Sequence, residues 1–171
     1  MKRDGVCYSK EEYVRKKYKE SAKVFINAYG WFVKEAQHIV PKPEGAEYPY
    51  WAFTDLYNVD QTGDGHVLTL DVPIGEAILF DMFDWTKIMQ MHYIGENESE
   101  EATFSEELKN MGMNEFQIMT SNFYPEQKAR IQESWKRLFG HQQAIEAGDN
   151  SGVHSVQAGL WCIKDEWIVK E

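Results

Sequence analysis

Phe25, Ala28, Tyr29, Phe32, Val33 and Ala36 recur at i, i+3, i+4, i+7, i+8 and i+11. That spacing lays an apolar stripe along three turns of α-helix, and Trp31 widens it. A stripe of that area must be covered, so the rest of the chain has to provide a facing layer. Gly30, in the middle of the stripe, costs ~1 kcal/mol relative to Ala, which a close approach of another backbone would explain. The helix has to stop before Pro41 and Pro43, because the residue before a proline is driven out of helical geometry.

The facing layer reads as strands. Tyr50, Trp51, Ala52 and Phe53 form a short apolar run, and residues 67–72 alternate Leu68, Leu70 and Val72 with Thr69 and Asp71. The alternation predicts a strand with one wet face, broken by Pro73 and Gly75. Residues 77–80 predict another short strand. Residues 153–163 predict a long one, with Val156, Ala158, Leu160 and Cys162 on one face and Gln157, Trp161 and Ile163 on the other. Further helices are expected over about 10–20, opened by a Ser9/Glu12 capping box, and from Asp81 to about 93. Another follows Thr103, with residues 95–103 an acidic loop, and the last runs from Pro125 to 139. Residues 113–123 are ambiguous, with Phe116, Ile118 and Phe123 admitting a strand. Helices and strands come in blocks, not as repeated βα units. The fold class is therefore α+β, a small mixed or antiparallel sheet packed against amphipathic helices. At 171 residues one domain is expected, residues 1–171, with a basic surface helix within 1–24 and the core in 25–168.

The net charge of −10 is unevenly spread. Residues 1–24 hold eight Lys/Arg and four Asp/Glu, whereas residues 44–115 hold sixteen Asp/Glu and only Lys87 and Lys109 as Lys/Arg. Such a segment repels phosphates, so nucleic acid is not an expected partner; it either attracts a basic protein or serves as a solvated face. No apolar run reaches the ~18 residues that cross a bilayer, and no membrane is expected. No secretory signal follows Lys2 and Arg3. Cys7 and Cys162 stand alone near the two ends, which points to reduced thiols and a cytoplasmic location. Six tryptophans are many for such a core; some fit a pocket or interface.

Asp60, Thr62, Asp64, Gly65, Val67 and Asp71 match positions 1, 3, 5, 6, 8 and 12 of an EF-hand loop. The flanks read as strand rather than helix, and position 12 is Asp where Glu is usual. Asp60, Asp64 and Asp71 are thus a weak metal set beside the alternative of a tight turn at residues 63–65. The five histidines show no ligand spacing. No glycine-rich phosphate loop or nucleophile elbow occurs, and no cofactor is expected. Cys162 reads as an inert core thiol. Asp81 and Asp84, with Trp85 next, either do acid–base work or cap a helix. Gln157 and Trp161 either line a pocket, an amide with an indole to suit a base or amide ligand, or face a covering layer.

Several segments in order resemble one bacterial or phage domain-of-unknown-function family. They are Ala28-Tyr29-Gly30-Trp31, Pro49-Tyr50-Trp51-Ala52, Leu79-Phe80-Asp81-Met82-Phe83-Asp84-Trp85 and Gln157-Ala158-Gly159-Leu160-Trp161-Cys162-Ile163. They match AYxW, PxWA, an LLSDFDxW-like turn and QAxxWxI. The resemblance spans about 25–168 and implies no activity. It also implies a strand before the first helix that this chain is expected to lack. The architecture is loosely similar to ADP-ribosyltransferase-like folds, whose split sheet holds NAD. That likeness implies a cleft lined by Trp51, Asp84, Trp85, Gln157 and Trp161, although the family's strand-borne Arg or His and its terminal Glu have no counterpart here. The expectation is a non-catalytic module that recognises a protein through its acidic face; the alternative is a nucleotide-using enzyme.

Overall fold

The computed structural model describes residues 5–62 and 65–169. In chain order the elements are β1 (Val6–Tyr8), α1 (Glu11–Tyr18), α2 (Ala22–Ala36), β2 (Tyr50–Phe53), β3 (Ala77–Asp81), α3 (Met82–Met89), α4 (Glu98–Asn110), α5 (Glu115–Thr120), α6 (Pro125–Ser134), α7 (Gln142–Glu146), β4 (Val156–Leu160) and β5 (Cys162–Lys164). The strands pair antiparallel, in a three-stranded sheet ordered β2-β4-β3 and a two-stranded ribbon β1-β5. The fold is α+β, as the block order of the sequence predicts.

The stripe on α2 finds its cover on this sheet. Phe32 is fully buried, with ring centroids 5.0 Å from Trp51 and 5.6 Å from Phe80. Gly159 on the central strand makes this approach possible: a Cβ there would stand 2.9 Å from Phe32 Cζ. Gly30 shows no such crowding, since a Cβ there would meet open space; the close approach belongs to Gly159 instead. The inner sheet face carries Ile78, Phe80, Trp51 and Gln157. The outer face carries Ala77, Leu79, Val156, Ala158 and Leu160, covered by Ile145, Leu70 and Val72. At the β3 edge, Gln142 replaces a missing strand. Its buried amide accepts from Leu79 N at 2.5 Å and donates to Ala77 O at 3.2 Å, which closes an edge that would otherwise recruit other chains.

Several expected boundaries move. Lys10, not Ser9, precedes α1 and gives no side-chain cap. Ser9 is drawn into a bridge with Tyr48, and the Glu47 carboxylate accepts the Glu11 N–H at 2.9 Å instead. A strand, β1, does precede the first helix, contrary to expectation, because β5 offers it a partner edge. Residues 67–72 form no strand. Only Leu70 bridges, to Ile168, flanked by Asp71 N to Trp167 O and Val169 N to Thr69 O, so the run pairs with the short segment at 167–169 and joins neither sheet. Asn97 caps α4 from position 98 by accepting the Glu100 N–H at 3.0 Å, so most of the acidic loop is helix; Thr103 lies inside it and donates to Ser99 O. Residues 115–120 are helical, opened by a capping box between Asn114 and Gln117. The terminal strand divides at Trp161 into β4, in the sheet, and β5, in the ribbon.

Candidate functional site

Trp51 and Trp85 meet with centroids 4.6 Å apart, within a nest completed by Tyr29, Phe32 and Phe80. β2 supplies Trp51, and the first turn of α3 supplies Trp85. Gln157 enters the same sheet face from β4: Phe53 pairs with Gln157 and Trp51 with Gly159. The expected set is thus only partly assembled. Trp51, Trp85 and Gln157 converge. Trp161 lies in the same core but is 3 % exposed, and its indole N–H donates to Val40 O at 2.7 Å, so it serves a sealed layer. Its ring also borders a recess of about 180 Å³ with Tyr8, Pro41, Pro43 and Cys162.

Asp84 makes no hydrogen bond to Trp51 or Gln157 among the described residues. Burial raises its carboxyl above the ordinary range against the pull of Lys87, whose Nζ stands 3.7 Å away. Asp81 has a different task. It caps α3 by accepting the Phe83 N–H at 3.0 Å, and it also accepts from His154 N, Ser155 N and His154 Nδ1 at 3.0, 3.3 and 2.9 Å. Burial works to raise its pKa, and these donors outweigh burial and hold it below the ordinary value. No local signal marks the His154 contact, because its partner lies 73 positions away.

The calcium-loop pattern does not acquire its helices. The turn Leu56–Asn58 precedes it and irregular chain follows. Asp60 spends its Oδ1 on Thr62 N and Oγ1 at 2.9 and 2.6 Å; Asp64, and with it the expected turn at 63–65 but for Gly65, lies outside the described residues. Among the described residues no three His, Cys, Asp or Glu side chains gather as a metal site. Cys7 and Cys162 are unlinked, and burial raises the Cys162 thiol.

The acidic segment separates into two unlike parts. On α4 three of the five acids are matched from within: Glu101 by Lys87 at 2.6 Å, Glu107 by Arg130 at 2.6 Å, Glu100 by Arg137 at 3.5 Å. An open recess of about 530 Å³ lies beside them, lined by Tyr93, Arg130, Lys136 and Arg137; its cations are already bound to glutamates. Residues 54–76 differ. No Lys or Arg occurs from residue 43 to 86, and among the described residues no salt bridge involves Asp55, Asp60 or Asp71. Leu56, Tyr57, Val67, Leu68 and Ile74 are exposed there, Tyr57 to 91 %. The segment is tied down by Asp71 N to Trp167 O at 2.7 Å, Val169 N to Thr69 O at 3.0 Å, and Asn58 Nδ2 to Ser155 Oγ at 2.7 Å. The alternation that predicted a strand over 67–72 hid this exposure.

These features define an antiparallel α+β domain with an aromatic nest inside and one acidic, apolar loop outside. The family model described as Domain of unknown function (DUF3841) matches residues 1–169, and the chain belongs to that family. No curated protein and no solved structure matches it.

Proposed function

We propose that the protein is a non-catalytic recognition module that binds a partner protein through residues 54–76. One observation carries this reading: five large apolar side chains stand exposed among acids, in a stretch devoid of Lys and Arg. Large apolar side chains left exposed in one stretch of chain favour protein contact. Unmatched carboxylates around it favour a partner segment in which Lys or Arg flanks apolar side chains, and they speed its encounter. The same charge disfavours nucleic-acid backbones. No helix among the described residues is long and apolar enough to cross a membrane, and the unlinked cysteines support a cytoplasmic setting. The resemblance to a bacterial and phage family is the ground for seeking the partner in a bacterial host.

The test is capture from bacterial lysate by the wild-type protein and by a variant carrying Leu56→Ser, Tyr57→Ser and Leu68→Ser. These side chains are exposed, so the variant keeps its fold. The expected result is a partner held by the wild type, lost by the variant, and weakened as salt rises from low to high. A partner held equally by both, or capture indifferent to salt, contradicts the reading.

A further inference from the structure

Folding leaves two polar atoms on the inner sheet face without well-formed hydrogen bonds. Gln157 Oε1 is buried with no partner, and Trp51 Nε1 is buried with only a weak contact to the Tyr29 hydroxyl, which works to lower that hydroxyl's pKa against burial. Their strands are neighbours. Trp51 sits opposite Gly159 and Phe53 opposite Gln157, which makes Trp51 and Gln157 diagonal neighbours on one face. Gln157 is 4 % exposed. A buried acceptor without a donor works against folding, and the equivalent inner-face positions of β3 are filled by Ile78 and Phe80. Stability alone therefore asks for an apolar residue at 157.

The surroundings suit a flat ligand. Trp85 lies tilted by 35° over Trp51, and Phe32, Phe80 and Tyr29 present edges to it at 5.0 to 6.1 Å. Trp51 belongs to an edge strand and is only half-buried, whereas Trp85 and Gln157 are buried, so a ligand would enter the nest only by parting Trp51 from Trp85. An N–H and a C=O displayed together between aromatic faces are the complement of a planar group that carries an acceptor beside a donor.

We infer that Trp51 and Gln157 form a binding site for a planar carboxamide or heterocycle with an adjacent acceptor and donor, the chemistry shared by nicotinamide and by nucleobase edges. The ligand's acceptor takes the Trp51 N–H, and the ligand's N–H donates to Gln157 Oε1. No covalent step is involved. The site is independent of the loop at 54–76.

The experiment follows the six tryptophan indole N–H signals by nuclear magnetic resonance while nicotinamide, adenine or uracil is added to millimolar concentration. Trp51→Phe identifies the Trp51 signal. Gln157→Leu, which keeps the volume and removes the acceptor, tests the site. The expected result is that at least one probe moves the Trp51 signal, that Gln157→Leu weakens that probe at least tenfold, and that the ligand-free Gln157→Leu protein melts at or above the wild type. The arm that responds tells a carboxamide from a purine or pyrimidine edge. If no probe moves the signal, if Gln157→Leu binds undiminished, or if that variant melts well below the wild type, the inference is overturned. The last result would show that the two atoms already satisfy one another or share a buried water.

Discussion

Gly159 sets how closely the long helix can lie on the sheet. A Cβ at this position would fall 2.9 Å from Phe32 Cζ and 3.2 Å from Cε1, and Phe32 is enclosed by Trp51, Phe80 and Trp85. The ring has nowhere to retreat, so Gly159→Ala is expected to destabilise the protein by ~1–3 kcal/mol, the usual cost of overpacking. Urea unfolding checks this, and Phe32→Leu in the same chain is expected to restore part of the loss, because neighbours in contact are coupled. Asp81 makes a prediction with a pH sign. Its folded pKa is depressed, so its contribution is present above the unfolded value of ~3.9 and is lost as pH falls through the folded value. Asp81→Ala is expected to cost ~1–3 kcal/mol at neutral pH through the lost cap and orphaned N–H groups. The gap to the wild type should narrow below about pH 4 and close as pH falls through the folded value, where protonation removes the wild type's carboxylate, which the variant never had. Unfolding curves at pH 7, 4 and 3 measure it.

At the scale of elements, partners distant in sequence decide what local signals leave open. The α2 stripe, the strands at residues 50–53 and 77–80, and the two faces of 156–160 are legible from periodicity, because that pattern is the burial pattern itself. The boundaries are not. The Ser9/Glu12 box is displaced by Glu47, 36 positions away from Glu11. The alternation at 67–72 yields a single bridge, Leu70 to Ile168, because the segment it meets follows directly on the turn Asp165–Trp167 and is too short to pair further. Within the candidate site, the aromatic and amide character of Trp51, Trp85 and Gln157 could be read. That Asp84 makes no hydrogen bond to them and that Trp161 spends its N–H on Val40 O could not, since both follow from partners distant in the chain. Two joints are open to test. Gln142→Leu strips Leu79 N–H and Ala77 C=O of their partner and is expected to cost roughly 1–3 kcal/mol, and to promote self-association through the uncovered β3 edge; unfolding and light scattering report the two effects. His92 Nδ1 lies 2.5 Å from Glu115 Oε2, joining the end of α3 to α5. That hydrogen bond raises the His92 pKa against the effect of burial. Its stabilisation is therefore present below ~6.5 and disappears as pH rises through the folded value. Titration by nuclear magnetic resonance is expected to place the His92 midpoint above ~6.5 in the wild type and nearer that value in Glu115→Gln.

Taken as a whole molecule, the chain disposes of its negative charge in two ways. Three of the five α4 acids are paired with Lys87, Arg130 and Arg137, so most of that helix's charge is spent on the fold. Of the acids in residues 54–76, Glu76 pairs with Lys164 at 2.9 Å, whereas Asp55, Asp60 and Asp71 enter no salt bridge among the described residues, in a stretch that also exposes Leu56, Tyr57 and Leu68. A sequence count merges both into one acidic segment; only the packing separates them. Hydrogen exchange in the presence and absence of the captured partner tests that separation most directly. The account predicts slowed exchange across residues 54–76, with the amides of α4 unchanged. Protection that falls on α4 and spares 54–76 would contradict it.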